Sequence, residues 1–270
     1  MANPYQDCAI LLGDSITQES GVSFNLQSRF SNAYRRTIDI LNRGYGGYNT
    51  AWTRPLFDTI FAKKEAASIT STVRLVTIWF GANDAVIPSA RQHVSLADYE
   101  ANLRFFLEGL TSPESPYAAA HAKGLNIVLV TPPPLLLSLM VNYAPEREVA
   151  LTKTYADVVV KLAAEYKTKE TENGNWRIGL IDMWSATINA AGGEGEGLAK
   201  YLSDGLHMTS EGYGVFWEEY TKLVKNEFKG RGLDWEDPTD LPERMPSWDL
   251  VDAKNPSTVV DQLALPPIRS

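Results

Sequence analysis

The stretch CAILLGDSITQ, residues 8–18, decides the fold class. Its unbroken apolar run, Cys8–Leu12, is typical of a strand covered on both faces, as in a parallel sheet. Gly13 permits a tight turn directly after this strand, so Ser15 is presented at the carboxyl edge of the sheet, where open α/β sheets bind ligands. Ser15 is therefore a candidate nucleophile. The alternative is that Asp14 and Ser15 only cap the next helix.

Four further apolar runs predict buried strands of the same kind: Ile38–Asn42, Arg74–Phe80, Leu125–Thr131 and Ile178–Asp182. Apolar residues at helical spacing predict helices after a capping box at Ser95–Asp98, over about 150–168 and over about 211–228. Strands that alternate with helices favour a parallel sheet with right-handed crossovers. The predicted fold is a three-layer α/β/α, flavodoxin-like domain with a five-stranded parallel sheet in the order 2-1-3-4-5.

Composition excludes several classes of function. The chain of 270 residues is 44% hydrophobic, which is typical of a globular protein, and its net charge of −8 disfavours binding to nucleic acid or to an anionic membrane. The single cysteine, Cys8, excludes an intrachain disulfide, and no zinc-ligand spacing occurs, so we expect no metal and no cofactor. There is no signal-peptide pattern and no apolar segment of membrane-spanning length. We therefore expect a cytoplasmic protein.

Glycine-rich and asparagine-containing turns follow the second and third predicted strands. In NRGYGGYNT, residues 42–50, the glycines allow a backbone N–H group to point at a developing oxyanion, although an ordinary strand-to-helix turn is an alternative. The spacing does not match a dinucleotide fingerprint, because Asn49 stands where the third glycine belongs. In GAND, residues 81–84, the side-chain amide of Asn83 is a second candidate donor, with a simple turn as the alternative.

The segment DGLH, residues 204–207, supplies a candidate base. One turn of backbone brings the Asp204 carboxylate onto Nδ1 of His207, which fixes the tautomer that accepts a proton at Nε2. A surface pair at a helix start is the alternative. In a sheet of order 2-1-3-4-5 the first three strands end side by side, and a loop after the fifth can swing back over that edge. The four segments are thus predicted to converge on one cleft.

The segments GDSIT, RGYGGYNT, GAND and DGLHMTSEGY together resemble the four sequence blocks of the SGNH (GDSL-type) hydrolases, in the same order. TPPP, residues 131–134, and GGYNT resemble the branch of isoamyl acetate-hydrolysing esterases within that family. The resemblance extends from about Cys8 to Lys225.

The resemblance implies a role for each matching residue. Ser15 is the nucleophile, His207 is the general base and then the acid, and Asp204 orients His207. The oxyanion hole consists of the N–H groups of Ser15 and Gly47 and the side chain of Asn83. The neighbouring glycines at positions 44 and 46 remain alternatives to Gly47.

The branch further implies hydrolysis of short-chain carboxylic esters, chiefly acetyl esters of small alcohols, through an acyl-enzyme. A carbohydrate O-deacetylase and a lysophospholipase-like hydrolase are alternatives within the family. A non-catalytic, flavodoxin-like anion-binding protein is an alternative outside it. The expected partner is a small-molecule ester, with neither nucleic acid nor membrane, and the branch suggests a homodimer. Residues expected to contact the substrate are Asp14, Tyr48, Phe80, Pro132 and Met208.

The chain after about residue 230 differs in composition from the rest. It contains six prolines and shows little periodicity. We predict a hydrolase domain over residues 1–229 and a proline-rich C-terminal extension over 230–270. The extension is expected to pack on the domain or on a partner subunit, because its large apolar side chains are costly to leave in water: Trp235, Trp248, Leu250 and Leu263.

Overall fold

Five parallel strands form the central sheet of the protein. The computed structural model describes residues 7–141, 144–171 and 174–263. The strands are β1 (Asp7–Gly13), β2 (Ile38–Gly44), β3 (Val73–Trp79), β4 (Leu125–Val130) and β5 (Trp176–Ile181). They are hydrogen-bonded in the order β2-β1-β3-β4-β5. The predicted fold class and strand order are therefore confirmed.

Helices cover both faces of this sheet. In chain order the described ones are α1 (Ser15–Gln18), α2 (Leu26–Ala33), α3 (Thr50–Thr53), α4 (Phe57–Ile60), α5 (Leu96–Thr111), α6 (Ala118–His121), α7 (Val149–Thr168), α8 (Met183–Ala191) and α9 (Ser210–Asn226). The three predicted long helices correspond to α5, α7 and α9. No helix within the described ranges is long and apolar enough to cross a lipid bilayer.

The strands are apolar on both faces because each face packs into its own hydrophobic cluster. Along β1, Ala9 and Leu11 belong to the cluster that also contains α2 and α9, whereas Ile10 and Leu12 belong to the cluster that contains α5 and α7. Alternation between two buried environments leaves no polar side of the strand. This packing explains the unbroken apolar run from which the strand was predicted.

Three strands, β3, β4 and β5, end one residue earlier than predicted. Thr131 and Asp182 lie just beyond β4 and β5, where the Thr131 hydroxyl donates to Asp182 Oδ1 over 3.0 Å. The same carboxylate oxygen accepts the Ser185 N–H at 3.2 Å and caps α8. Asp182 is therefore the residue at which the chain leaves β5 and enters α8, and Thr131 is hydrogen-bonded to it.

The register of the three adjacent strands β2, β1 and β3 places their carboxyl ends at the same level. Gly13 pairs with Gly44 of β2 and with Trp79 of β3. A side chain at either glycine would collide with α1: a Cβ at Gly13 would lie 2.0 Å from Thr17 Oγ1, and one at Gly44 would lie 2.2 Å from the Gln18 nitrogen. The missing side chains let α1 sit directly over this edge, so the segments after all three strands start from one place.

The first part of the extension packs against the domain. Leu233 and Leu241 are buried, and the buried Arg244 guanidinium lies 3.7 Å from Asp7 Oδ2 at the amino end of β1. Asp240 accepts the N–H groups of Gly232, Leu233 and Asp234 and so closes this turn. The extension therefore packs at the amino ends of the strands, opposite to the carboxyl ends where Gly13 lies.

The later part of the extension is exposed in this structure. Trp248 is 86% exposed and Leu250 is 63% exposed. Packing of this part on the domain is thus not observed, and contact with a partner subunit stays a prediction. The last predicted residues of the extension, 264–270, lie outside the described residues.

Loss of the buried anchor should destabilise the protein more than loss of the exposed end. We expect Leu241→Ala to lower the free energy of unfolding by about 2–4 kcal/mol, because it removes a side chain that is buried in the hydrophobic cluster. Truncation after Ser247 should change the melting temperature little. Denaturant and thermal melts of both variants check this. Equal losses in the two variants would contradict the division of the extension into an anchor and a free end.

Candidate active site

Ser15 occupies the first position of α1, directly after the turn that ends β1. Asp14 caps this helix, since its Oδ1 accepts the Ile16 N–H at 2.9 Å. The cap and the presented hydroxyl are thus two parts of one turn, and the two interpretations of the sequence were not exclusive. Ser15 Oγ lies 2.8 Å from Nε2 of His207, a residue 192 positions away in the sequence.

His207 is held by Asp204 through both carboxylate oxygens. Asp204 Oδ2 lies 2.7 Å from His207 Nδ1, and Oδ1 accepts the backbone N–H groups of Leu206 at 3.0 Å and His207 at 2.8 Å. Partial burial acts to raise the pKa of Asp204, but these hydrogen bonds outweigh it and lower the pKa below its ordinary value. The ionised carboxylate favours a proton on Nδ1, which leaves Nε2 free to accept the Ser15 proton.

The glycine turn after β2 contains three candidate donors, and two of them are engaged. The Gly44 N–H donates to Asn42 Oδ1 at 2.8 Å, and the Gly46 N–H donates to Gln18 Oε1. Gly47 has a positive φ of 78°, and within the described parts of the chain no acceptor is found for its N–H. Gly47 is therefore the glycine best placed to donate to a ligand.

Asn83 is joined to the same turn. Its Nδ2 donates to the Tyr48 carbonyl at 2.8 Å, and its Oδ1 accepts from Arg147 at 3.3 Å. One hydrogen of the amide is thus used to hold the turn, and among the residues that the structure describes no acceptor is found for the second. The structure thus joins the serine to the aspartate–histidine pair and joins the asparagine to the glycine turn.

Comparison with known proteins agrees with this constellation. The model of the GDSL-like lipase/acylhydrolase family matches residues 11–215. The chain belongs to this family. It is a carboxylic ester hydrolase, which rules out the non-catalytic alternative.

Individual proteins of known name resemble this chain over most of its length. A GDSL esterase/lipase of Arabidopsis thaliana is 34% identical and covers 95% of this chain and 98% of its own. An isoamyl acetate-hydrolyzing esterase 1 homolog of Bos taurus is 29% identical and covers 91% and 88%. The crystal structure of an acetylxylan esterase from Geobacillus stearothermophilus superposes with a TM-score of 0.54 at 19% identity and covers 85% and 95% of the two chains. That last likeness shows the fold alone.

The cleft of this GDSL-family enzyme is open to solvent and polar. It encloses about 270 Å³ and is lined by Ser15, Gln18, Glu19, Ser20, Ser203, Asp204 and His207. The sequence interpretation missed Gln18, Glu19, Ser20 and Ser203 as cleft residues. Helical spacing contained a signal for one of them, because Gln18 stands three positions after Ser15 and so shares its side of α1. Within the described ranges no group of three or more histidine, cysteine, aspartate or glutamate residues is arranged to hold a metal ion.

Four of the five predicted substrate contacts are buried and are not among the residues that line the cleft: Asp14, Phe80, Pro132 and Met208. Their contact with a substrate stays a prediction. Asp14 is used as a helix cap, whereas Phe80 and Met208 pack into the two hydrophobic clusters. Tyr48 alone remains partly exposed, with its ring edge-on to Trp52 at a centroid distance of 5.9 Å.

Two buried carboxyl groups, those of Asp14 and Asp84, are hydrogen-bonded to the segments that carry the site residues. Asp84 Oδ1 accepts both the N–H and the hydroxyl of Thr50, which ties the GAND segment to the glycine turn. Burial raises the pKa of Asp84 to about 6. Burial, together with the nearby charge of Asp84, raises the pKa of Asp14 to about 7. Both groups therefore resist ionisation in the folded enzyme.

Removal of the asparagine amide should impair catalysis far more than folding. We expect Asn83→Ala to lower kcat by about 10²–10³-fold with a small change in KM, as for loss of one oxyanion donor. Steady-state kinetics on a soluble aryl acetate measure this. Asn126→Ala is the control: Asn126 is a buried asparagine of β4 whose amide donates to the Arg74 carbonyl, and its loss should lower stability without lowering kcat. Similar kcat values for the two variants would count against a role of Asn83 as a donor.

The raised pKa of Asp14 predicts the direction of a stability change with pH. Between pH 4 and pH 7 the folded enzyme retains a proton that the unfolded chain has lost, so this group lowers stability as pH rises. Asp14→Asn keeps an oxygen for the Ile16 N–H but cannot ionise. Its advantage in free energy of unfolding should grow across this range to at most about 4 kcal/mol, at about 1.4 kcal/mol per pKa unit.

Urea titrations at several pH values test this expectation. Asp39→Asn, at an exposed position of β2, is the matched control and should follow the wild-type profile. An Asp14→Asn profile parallel to that of the wild type would show that Asp14 ionises as readily when folded as when unfolded.

Proposed function

We propose that this GDSL-family enzyme is a serine esterase that hydrolyses short-chain carboxylic esters, chiefly acetyl esters of small alcohols, through an acyl-enzyme. The observation that carries the proposal is the continuous chain of contacts from Ser15 Oγ to His207 Nε2 at 2.8 Å and from His207 Nδ1 to Asp204 Oδ2 at 2.7 Å. Such a chain supplies both the nucleophile and the proton acceptor that ester cleavage requires.

In the first half-reaction, His207 Nε2 takes the proton of Ser15 as Oγ attacks the ester carbonyl carbon. The carbonyl oxygen becomes an oxyanion that accepts hydrogen bonds from the N–H groups of Ser15 and Gly47 and from Asn83 Nδ2. The carbon–oxygen bond to the alcohol then breaks, and His207 gives its proton to the leaving alkoxide. Water repeats the sequence on the acyl-enzyme and releases the acid and the free serine.

The size and lining of the cleft support a short acyl group. The cleft of about 270 Å³ is open, and polar residues line it. The large apolar side chains that adjoin the sequence motifs, Phe80 and Met208, are packed inside the protein and form no acyl tunnel. A long acyl chain would therefore remain in water and contribute little binding energy. The relatives described as isoamyl acetate-hydrolyzing esterase 1 homologs support the same acyl group.

The polarity of the cleft rim favours a second candidate, a carbohydrate O-deacetylase. The amide of Gln18, the carboxylate of Glu19 and the hydroxyls of Ser20 and Ser203 offer hydrogen bonds that a sugar alcohol uses and an alkyl alcohol does not. The acyl group is the same in both candidates, so the alcohol decides between them.

Activity on a series of esters tests the proposal. We expect kcat/KM on p-nitrophenyl esters to show no increase from acetate to octanoate, since each added methylene remains solvated and adds no binding energy. A fluorophosphonate should label the wild type and not Ser15→Ala. Maximal activity on octanoate would contradict the short-acyl assignment, and labelling of Ser15→Ala would contradict the nucleophile. Release of acetate from acetylated xylo-oligosaccharides faster than from isoamyl acetate would favour the deacetylase.

A further inference from the structure

Arg147 is a buried cation that the mechanism above does not use. It is 6% exposed and stands two residues before α7. Its backbone is fixed against the loop after β3, because Arg147 forms an isolated antiparallel bridge with Val86, and the Ile87 N–H donates to the Glu146 carbonyl at 2.9 Å. A guanidinium in such a position is costly to desolvate, so the contacts it makes call for an explanation.

The guanidinium contacts two consecutive residues of the GAND segment. One Nη donates to the carbonyl of Ala82, and the other donates to Oδ1 of Asn83 at 3.3 Å. The planar fork of an arginine can hold two acceptors in fixed relative positions, which a lysine ammonium cannot. Arg147 thus fixes both the backbone just before Asn83 and the oxygen end of its side chain.

These contacts determine which way the Asn83 amide faces. A side-chain amide has nearly the same shape in its two flipped orientations, and only its hydrogen bonds choose between them. With Oδ1 on the Arg147 cation and one Nδ2 hydrogen on the Tyr48 carbonyl, the amide cannot turn its oxygen toward the catalytic serine. In the flipped orientation that oxygen would repel the negative charge that develops on the substrate.

We propose that Arg147 is a positioning residue of the oxyanion hole: it holds the Asn83 amide in the orientation that donates to the oxyanion, and its charge polarises that amide. The proposal rests on the proposed function, since it concerns the donor used in ester cleavage. The positive charge of Arg147 also adds favourable potential where the oxyanion forms, and the burial of the guanidinium limits the screening of that charge by water.

A double-mutant cycle tests the proposal. We expect Arg147→Met to lower kcat on p-nitrophenyl acetate by about 10- to 100-fold while KM stays within about twofold, because the effect arises in the transition state. In an Asn83→Ala background the same substitution should lower kcat by less than about threefold, since the amide that it positions is gone. Arg147→Lys, which keeps the charge but not the fork, should fall between the wild type and Arg147→Met.

Arg244 provides a matched control. It is equally buried, but it pairs with Asp7 at the opposite edge of the sheet, so Arg244→Met should lower the melting temperature and leave kcat unchanged. A merely structural role for Arg147 would make the two methionine variants alike in kinetics. Circular dichroism and melting curves establish which variants are folded, and Arg147→Lys decides the result if Arg147→Met does not fold.

The outcomes distinguish failure of the proposed role of Arg147 from failure of the proposed function. Kcat within twofold of the wild type in folded Arg147→Lys and Arg147→Met, or full additivity of Arg147→Met with Asn83→Ala, would overturn the role of Arg147. In either case, an active wild type that Ser15→Ala abolishes would leave the proposed function standing. A wild type without esterase activity, or activity retained in Ser15→Ala, would instead overturn the proposed function itself.

Discussion

The site depends on the parallel register that places Gly13, Gly44 and Trp79 side by side at one edge of the sheet. Each strand then delivers its following segment to the same place, and the two glycines leave room for α1 to lie directly on that edge. The serine, the glycine turn and the asparagine need no long loops to meet. Only the aspartate–histidine pair does not directly follow one of these three strands. The Ser203 N–H donates to the His207 carbonyl at 2.8 Å and closes the short loop that contains the pair.

Much of this arrangement was predictable because it follows from local rules. Strands buried on both faces leave unbroken apolar runs, and a serine directly after such a run must lie at the sheet edge. The spacing of Asp204 and His207 is set by one turn of backbone, so their contact could be inferred from the sequence alone. The local sequence left three glycines as candidate donors: Gly44, Gly46 and Gly47. The structure favours Gly47, because the N–H groups of the other two already donate to Asn42 and Gln18.

The side chains around the substrate were not predictable in the same way. A residue just after a strand can turn toward either hydrophobic cluster or toward the cleft, and no periodicity decides which. Phe80 and Met208 accordingly pack inside, although each adjoins a motif. Arg147 presents the converse case: its own segment contains no motif, and its proximity to Asn83 arises from pairing with Val86, which lies 61 positions earlier in the chain. Contacts of that range depend on tertiary packing and leave no local pattern.

The distribution of buried charge suggests why the domain and its extension meet where they do. Behind the catalytic edge lie Asp14, Asp84 and Arg147, whose burial favours orientation of the donors at some expense of stability. At the opposite edge, the extension adds Leu241 to the core and brings Arg244 toward the buried Asp7, which also pairs with Arg74 at 3.6 Å. Stabilisation is thus added at the amino ends of the strands, where it does not constrain the cleft. The family match ends at residue 215, before the extension begins, and every residue that lines the cleft precedes that point.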